Sequence, residues 1–228
     1  MSKTEIKKRE KLEEKKKKDD EKKRAKAEKD AQEEEKNPKK NHEQEEELDP
    51  TKYTENRKNM LQAMREKGEN PYPHKFHRTM RVDEYVAHYT ESLQENGVFN
   101  QDKQESLTGR IKSIRSSGDK LIFIDLVGDE GKVQVMLSAE HYRGDFENLH
   151  HVLRRGDIIG LHGHPGRTKK GELSIRPFEV VPLSYCLHQL PVQKQNGEHV
   201  LNKDTRYRYR YQDLILHPDV RQKFKVRS

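Results

Sequence analysis

The sequence predicts a mainly β protein with flanking α-helices, in which a small five-stranded barrel forms the organised core. Three observations predict this fold class: short apolar strands between residues 107 and 183, glycine-containing turns that separate them, and a helical spacing of apolar residues after the third strand. Three strands, a helix and two strands is the order of the five-stranded Greek-key OB fold. That fold binds single-stranded nucleic acid across strands 2 and 3 and through its hairpin loops, so we expect a barrel of this type.

The individual elements follow from local patterns. The predicted strands are, in order, LTGRIKSIR, KLIFIDLV, KVQVMLS, DIIGLH and ELSIRPFEVV. Turns at residues 116–119 and 128–131 separate the first three strands, and the glycine and lysine loop HPGRTKKGE separates the last two. Phe146, Leu149 and Leu153 recur at helical spacing, which predicts a helix between the third and fourth strands.

Helices are predicted on both sides of the barrel. The first helix is predicted over residues 54–67, with Gly68 as its C-terminal stop. One side of this helix carries Met60, Leu61 and Met64. Asp83 is the predicted N-cap of a second helix, whose inward residues are Tyr85, Val86 and Tyr89. After the barrel, residues 182–200 are predicted to be irregular and residues 205–216 to form one helix.

The C-terminal end is predicted to be helical as well. His217 and Pro218 break the preceding helix, and a new amphipathic helix begins at Asp219. The sequence stops inside this helix, at Ser228, which we interpret as a truncation.

Composition separates a basic globular part from a charged extension. Of 228 residues, 38% are charged and only 29% hydrophobic, a low share for a fully globular chain. Residues 1–50 contain 17 basic and 17 acidic residues, so the remaining residues carry the whole net charge of +7. A basic globular part favours polyanionic partners.

The N-terminal extension carries a regular lysine pattern and is predicted to be a long charged helix or a disordered tail. Its lysines follow steps of three and four residues, which on a helix of about 100° per residue place them within an arc of roughly 80°. Such a stripe suits RNA phosphates, although a solvated helix or a solubility tail explains the same composition. The stripe consists of Lys8, Lys11, Lys15, Lys18, Lys22, Lys26 and Lys29.

Several function classes are disfavoured. Cys186 is the only cysteine, so neither an intrachain disulfide nor a cysteine zinc cluster is expected. No apolar run approaches the roughly 20 residues that span a bilayer, and the N-terminus lacks a secretory core, so we expect a cytoplasmic protein without a membrane partner. His162 and His164 share a strand face, but no Cys or carboxylate set completes a metal site. No catalytic, cofactor-binding or metal-binding residue is predicted.

Four barrel residues are candidates for contacts with RNA bases, because specific recognition of single strands needs aromatic stacking and hydrogen bonds to base edges. Phe123 offers a stacking surface, and Gln134 offers an amide that both donates and accepts. Arg115 adds a cation at the first turn, and Glu172 adds an acceptor where the loop enters the fifth strand.

Three of the four candidates have an ordinary alternative. The strand pattern by itself favours a core position for Phe123, and Gln134 and Glu172 also suit outward strand positions without a function. Lys169 and Lys170, in the same loop as Glu172, are predicted to contact the RNA backbone.

Five segments of the chain resemble one known family, the eukaryotic cytosolic lysyl-tRNA synthetases, which are class II lysine–tRNA ligases. The segments are NPYPHKF, GRIKSIRSSGDKLIFIDL, LRRGDIIGLHGHPGRTKKGELSI, CLHQLP, and TRYRYRYQDLI followed by VRQKFKVRS. The resemblance runs from about residue 70 to residue 228, and the lysine-rich extension is similar to the tRNA-binding extension of that family.

The resemblance implies a domain organisation and a site. Residues 1–50 are a lysine-rich extension and linker, 51–104 a helical lead-in, 105–190 the OB-fold anticodon-binding domain, and 191–228 a hinge with the truncated start of the class II catalytic domain. The barrel is expected to bind the U-rich lysine anticodon. The family stacks and hydrogen-bonds anticodon bases at the positions of Phe123, Gln134 and Glu172, and Arg115 lies in the matching first turn.

The resemblance also implies an activity for a longer parent protein. That family attaches lysine to tRNA(Lys) with ATP and Mg²⁺ during translation, and the parent is expected to be a homodimer. The motifs that bind ATP and lysine are expected beyond Ser228, so this chain is predicted to bind tRNA without charging it and to hold no cofactor itself. Two alternatives remain: a free-standing tRNA-binding factor, and a non-specific single-strand RNA-binding OB protein.

Overall fold

The structure is a computed structural model that describes residues 50–191 and 201–228. The lysine stripe and the linker of the N-terminal extension lie outside the described residues, as do residues 192–200. In chain order the elements are α1 (Pro50–Glu66), α2 (Val82–Ser92), β1 (Glu105–Ser116), β2 (Leu121–Val127), β3 (Lys132–Ser138), α3 (Phe146–Val152), β4 (Ile158–Arg167), β5 (Leu173–Ser184), α4 (Lys203–Arg208), α5 (Arg210–Leu216) and α6 (Pro218–Arg227).

The five strands form a closed barrel in the order β1-β2-β3-β5-β4. Neighbouring strands are antiparallel except for β3 and β5, which run parallel and pair Gln134 with Ser174 and Val135 with Ile175. This order, with α3 between β3 and β4, confirms the five-stranded OB fold predicted from the sequence.

Alternation along the strands separates an apolar interior from a polar outer surface. Successive side chains of a strand point to opposite faces, and in β2 the inward residues are Ile122, Ile124 and Leu126, each at most 3% exposed. The half-buried residues between them, Phe123 included, therefore face outward. The outward set is available to a ligand, whereas the inward set only stabilises the barrel.

Helix α2 covers the core of the barrel with Tyr85 and Tyr89, as the sequence predicts. The Tyr85 hydroxyl donates to the backbone oxygen of Ser174 at 2.9 Å, which gives the buried ring a polar partner. The predicted N-cap was wrong, because the helix begins at Val82 and Asp83 lies in its first turn. The Glu84 carboxylate accepts from the backbone N–H of Arg81 at 2.7 Å, which satisfies that end of the helix.

Helix α1 is fixed to the barrel by a buried ion pair that the apolar pattern did not predict. The Arg57 guanidinium donates to both carboxylate oxygens of Asp157 at 2.7 and 2.8 Å, and also to the backbone oxygen of Val152 at 2.7 Å. Burial raises the pKa of Asp157 above its usual value. Arg57 and the backbone N–H groups of Arg154 and Cys186 reduce this rise without reversing it. The helix ends at Glu66, one residue before the predicted end, and Gly68 follows it with φ +79°, the conformation expected of the predicted C-terminal stop. It begins at Pro50, four residues before the predicted start.

Strand β4 is longer than predicted, because the segment assigned to a loop continues the strand as far as Arg167. The glycines that suggested a loop are required by close approaches. A Cβ at Gly166 would lie 2.5 Å from the Phe99 ring, and one at Gly163 would lie 2.7 Å from the backbone oxygen of Arg176. Strand β5 also extends to Ser184, so the irregular segment predicted from residue 182 begins later.

The predicted helix over residues 205–216 is two helices, because the backbone of Tyr209 leaves the helical region with φ −110° and ψ 59°. A buried carboxylate, Asp213, joins them. It accepts from Arg206 Nε and Arg210 Nη1, each at 2.8 Å, and lies 2.8 Å from His217 Nδ1. The next helix, α6, begins at Pro218, one residue before the predicted start.

Candidate nucleic-acid interface

The strand register places two of the four candidate residues side by side on the outside of the barrel. Arg115 of β1 pairs with Phe123 of β2, and Phe123 pairs with Met136 of β3. Phe123 is half-buried and points outward, so it does not belong to the buried core. Its ring is therefore positioned to meet a ligand, and we call this outer surface of β1, β2 and β3 the β1–β3 face.

The other two candidates are hydrogen-bonded to each other. Gln134 Nε2 donates to Glu172 Oε2 at 2.7 Å, and Ser174 Oγ donates to Gln134 Oε1 at 3.0 Å. This arrangement fixes the orientation of the amide, because a carboxylate only accepts and must face the NH₂ group. Gln134 is 5% exposed whereas Glu172 is exposed, so Glu172 presents the outer part of the pair to solvent.

Asp125 belongs to the same surface, although sequence reasoning missed it. Its carboxylate accepts from Ser113 Oγ at 2.8 Å and from Arg115 Nη2 at 3.3 Å, and lies 3.6 Å from Lys132 Nζ. The side chain is 13% exposed, so it orients Arg115 beside Phe123 more than it offers an open acceptor. The available signal was a charged residue at an outward position of an otherwise apolar strand.

The loop between β4 and β5 positions Glu172 over β3. It is a short hairpin in which Gly171 has φ +85°, a conformation that favours glycine, and Thr168 N–H bonds the backbone oxygen of Glu172 at 3.0 Å. Arg167 fixes the loop to α2 by donating to the backbone oxygens of Gly171 and Thr90, both at 2.7 Å. The predicted backbone contacts Lys169 and Lys170 are exposed at the tip of the loop.

The electrostatics divide the interface into two parts. The carboxylates of Asp125 and Glu172 lie on or beside the β1–β3 face, where their negative charge disfavours phosphates, and the exposed Glu172 is an available acceptor for N–H groups. Lys132, at the start of β3, and the two loop lysines supply the opposite charge. The arrangement suits a single strand whose bases point inward and whose backbone runs along the edge.

Comparison with known proteins agrees with this geometry. Residues 106–183 match the tRNA anti-codon family, which is described as an OB-fold nucleic acid binding domain. The chain is also 41% identical over 187 residues to the lysine–tRNA ligase cla4 of Cladosporium cladosporioides, covering 79% of the chain. The chain is a homologue of the lysine–tRNA ligases. Relatives in Wolinella succinogenes and Helicobacter pylori, both lysine–tRNA ligases, are 33% and 35% identical over 78% of the chain.

The match to the lysine–tRNA ligases covers only part of those proteins. The chain spans about a third of their length, with 31% of the Cladosporium protein and 34% of the Wolinella and Helicobacter proteins covered. The OB-fold match contains Arg115, Phe123, Gln134 and Glu172 together with the loop lysines. The homology therefore includes the whole candidate interface.

Two further observations concern other kinds of site. Within residues 50–191 and 201–228, no group of three or more His, Cys, Asp or Glu side chains could hold a metal ion. His162 and His164 use their Nδ1 atoms for contacts with Ser106 Oγ at 2.5 Å and the backbone oxygen of Lys103 at 3.0 Å. None of the helices in that part of the chain is long and apolar enough to cross a bilayer.

Proposed function

We propose that the barrel binds the anticodon of a lysine tRNA through the β1–β3 face and the β4–β5 loop. The observation that carries the proposal is the Gln134–Glu172 pair, because its amide and carboxylate share the outer surface of the barrel with the outward-facing Phe123. Aromatic stacking and edge hydrogen bonds are the two requirements for recognising unpaired RNA bases. The homology to lysine–tRNA ligases supports lysine tRNA as the source of those bases.

Each residue has a chemical role in this proposal. Phe123 stacks on one base, and Arg115, oriented by Asp125, places its guanidinium beside the same base or its phosphate. Glu172 accepts from a base N–H, which uracil provides on its pairing edge, and the Gln134 amide fixes the Glu172 carboxylate for that contact. Lys169 and Lys170 contact the backbone without regard to sequence.

The proposal extends to a whole protein of the lysine–tRNA ligase type, cytoplasmic and homodimeric, that attaches lysine to tRNA at the expense of ATP with Mg²⁺. Among the described residues, no group of three or more His, Cys, Asp or Glu side chains could hold a metal ion, and we place no step of that chemistry on them. The 228 residues by themselves are proposed to bind tRNA without charging it. An aminoacylation assay with the purified chain, lysine, ATP and tRNA tests this, and a lysine-dependent product would contradict it.

A non-specific single-strand binder is the second candidate. The exposed loop lysines and the net charge of +7 favour it, because phosphate contacts alone give affinity without sequence choice. A free-standing tRNA-binding factor would use the same interface. Dependence of the affinity on the anticodon sequence distinguishes the main proposal from the non-specific binder.

The experiment compares a lysine anticodon stem-loop with one whose three anticodon bases are changed. Glu172→Gln should lower the affinity for the lysine stem-loop by roughly 10- to 150-fold, since hydrogen bonds to charged groups contribute about 1.5–3 kcal/mol. The changed stem-loop should lose nothing. Glu179→Gln, which removes an equal charge from an exposed position of β5, is the matched control and should bind like the wild type. Equal affinity of the wild-type chain for both stem-loops would instead support the non-specific binder.

A further inference from the structure

A second basic surface lies beside the β1–β3 face. A cavity of about 500 Å³ opens between β1 and the C-terminal helices α5 and α6. Thr108, Arg110 and Lys112 of β1 line one wall, and residues of α5 and α6 line the opposite wall, among them Leu214 and Arg221. The surface takes no part in the contacts proposed above for bases.

The cavity has a large excess of positive charge, with six basic side chains against one acidic side chain, Asp129. Some of the cations hold the walls together: Arg221 donates to the backbone oxygen of Asp129 at 2.8 Å, and Arg81 lies 3.4 Å from its carboxylate. Within the part of the chain that the structure describes, no hydrogen bond or ion pair engages the side chains of Arg78 and Lys112. The six are Arg78, Arg81, Arg110, Lys112, Arg155 and Arg221.

A β-bulge connects the cavity to the β1–β3 face. The pairing of β1 with β2 shifts between Ile111 and Ser113, so Lys112 is the extra residue and is exposed. A bulge bends its strand and redirects the extra side chain. Along β1 the outward cations therefore continue from Arg115 through Lys112 to Arg110, a distance of roughly 17 Å at about 3.3 Å per residue.

We propose that this cavity binds phosphate groups of the RNA strand that flanks the bases held at the β1–β3 face. The proposal rests on the proposed function, because it takes those bases as bound. OB folds bind about 4–16 nucleotides, so a strand held at Arg115 extends past its bases along β1. Arg78 and Lys112, whose charges are unpaired among the described residues, contact the phosphates, and Arg110 adds its remaining N–H groups.

An RNA backbone suits the cavity better than an acidic peptide does. The cations form one track with a surface that already fits bases, and that continuity has no counterpart for a peptide. Free inorganic phosphate shares the relevant chemistry, so the test includes it as a separate probe.

The test uses the full 228-residue chain with Arg78→Ala and Lys112→Ala combined. The RNA probes are the lysine anticodon stem-loop and a linear oligonucleotide of the loop sequence alone. Because the double variant removes two cations that bind phosphates, the slope of log affinity against log salt on the stem-loop should become shallower by roughly 1.4 to 1.8. The loop oligonucleotide, which does not include the flanking strands, should keep the wild-type slope. The preference for the lysine anticodon should also stay unchanged.

The matched control removes one lysine and one arginine from the exposed side of α1, with Lys58→Ala and Arg65→Ala. It should leave the stem-loop slope at the wild-type value. An unchanged slope in the cavity variant overturns the proposal, and so does an equal change on both RNA probes. Binding of inorganic phosphate that the cavity variant abolishes, together with an unchanged stem-loop slope, would show a free-anion site and overturn it as well. Absence of an anticodon preference in the wild-type chain would contradict the proposed function, whereas the salt slopes test phosphate binding in the cavity.

Discussion

Arg57 and Asp157 are 100 positions apart in the chain, yet their side chains form two hydrogen bonds of 2.7 and 2.8 Å in the interior. Both residues are almost fully buried, at 4% and 0% exposed. Because Arg57 lies in α1 and Asp157 lies immediately before β4, this pair attaches α1 to the turn that leads into the fourth strand of the barrel.

Arg57→Met is expected to destabilise the chain strongly. Breaking a buried ion pair leaves an uncompensated charge and costs about 3–5 kcal/mol, which chemical denaturation will measure as a lower urea midpoint. Arg65→Met, on the exposed side of the same helix, is the matched control and should stay within about 0.5 kcal/mol of the wild type. Equal midpoints for the two variants would show that the pair contributes no net stability.

Phe123→Ala is expected to weaken binding of the lysine anticodon stem-loop by roughly 5- to 150-fold, because stacking contributes about 1–3 kcal/mol per base. The melting temperature should change little, since the ring lies outside the core. Phe178→Ala, a half-buried phenylalanine on β5, is the control and should leave the affinity unchanged. A folded Phe123 variant that still prefers the lysine anticodon as strongly as before would refute the stacking role.

Asp213 is expected to make stability depend on acidity. Burial raises the pKa of this carboxyl, but hydrogen bonds from Arg206 and His217 outweigh that effect and hold the pKa below its usual range. Because the pKa is lower in the folded state, the carboxylate of Asp213 contributes its full stabilisation above the unfolded-state pKa of about 3.9. That stabilisation is lost as the pH falls through the folded-state pKa. Thermal unfolding of wild type and Asp213→Asn should therefore differ at neutral pH and converge on acidification below about pH 4. A gap that stays constant down to the lowest pH would contradict this.

Deletion of residues 1–36 is expected to weaken binding of every tRNA by a similar factor. The deleted segment carries the lysine stripe, and lysine–phosphate contacts give a slope of about −0.7 to −0.9 per phosphate. The measurement is the salt dependence of affinity for lysine tRNA and for one other tRNA. A salt slope identical to that of the full chain would show that the stripe does not contact RNA.

Much of the barrel was predictable because each strand carries its own pattern. Residues 132–138 were assigned to a strand with the observed bounds, since apolar residues and flanking turns mark both ends. Gly163 and Gly166 misled the prediction for β4, because a glycine required by a neighbouring backbone or ring is indistinguishable in sequence from a glycine in a turn. The break at Tyr209 was also missed, and the buried Asp213 that accepts from Arg206 across the break has no counterpart in a local sequence pattern.

The candidate interface was predictable residue by residue but not as an arrangement. The sequence indicated Phe123, Gln134 and Glu172 separately, and only the register shows that the last two are bonded to each other. Asp125 and Arg57 could not be assigned a role, because their partners lie on other strands or helices. Whether the four residues contact bases stays a prediction.

The parallel pairing of β3 with β5 has a consequence for how recognition depends on folding. Gln134 and Glu172 are 38 positions apart, and the connection between them includes α3 and the whole of β4. Contacts of such sequence separation form only after the entropy of closing a long loop has been overcome. The hydrogen-bonded pair therefore requires β3, β4 and β5 to be in place. Under the proposed function, a nascent or partly unfolded chain keeps its lysines but lacks the arrangement proposed to distinguish one anticodon from another.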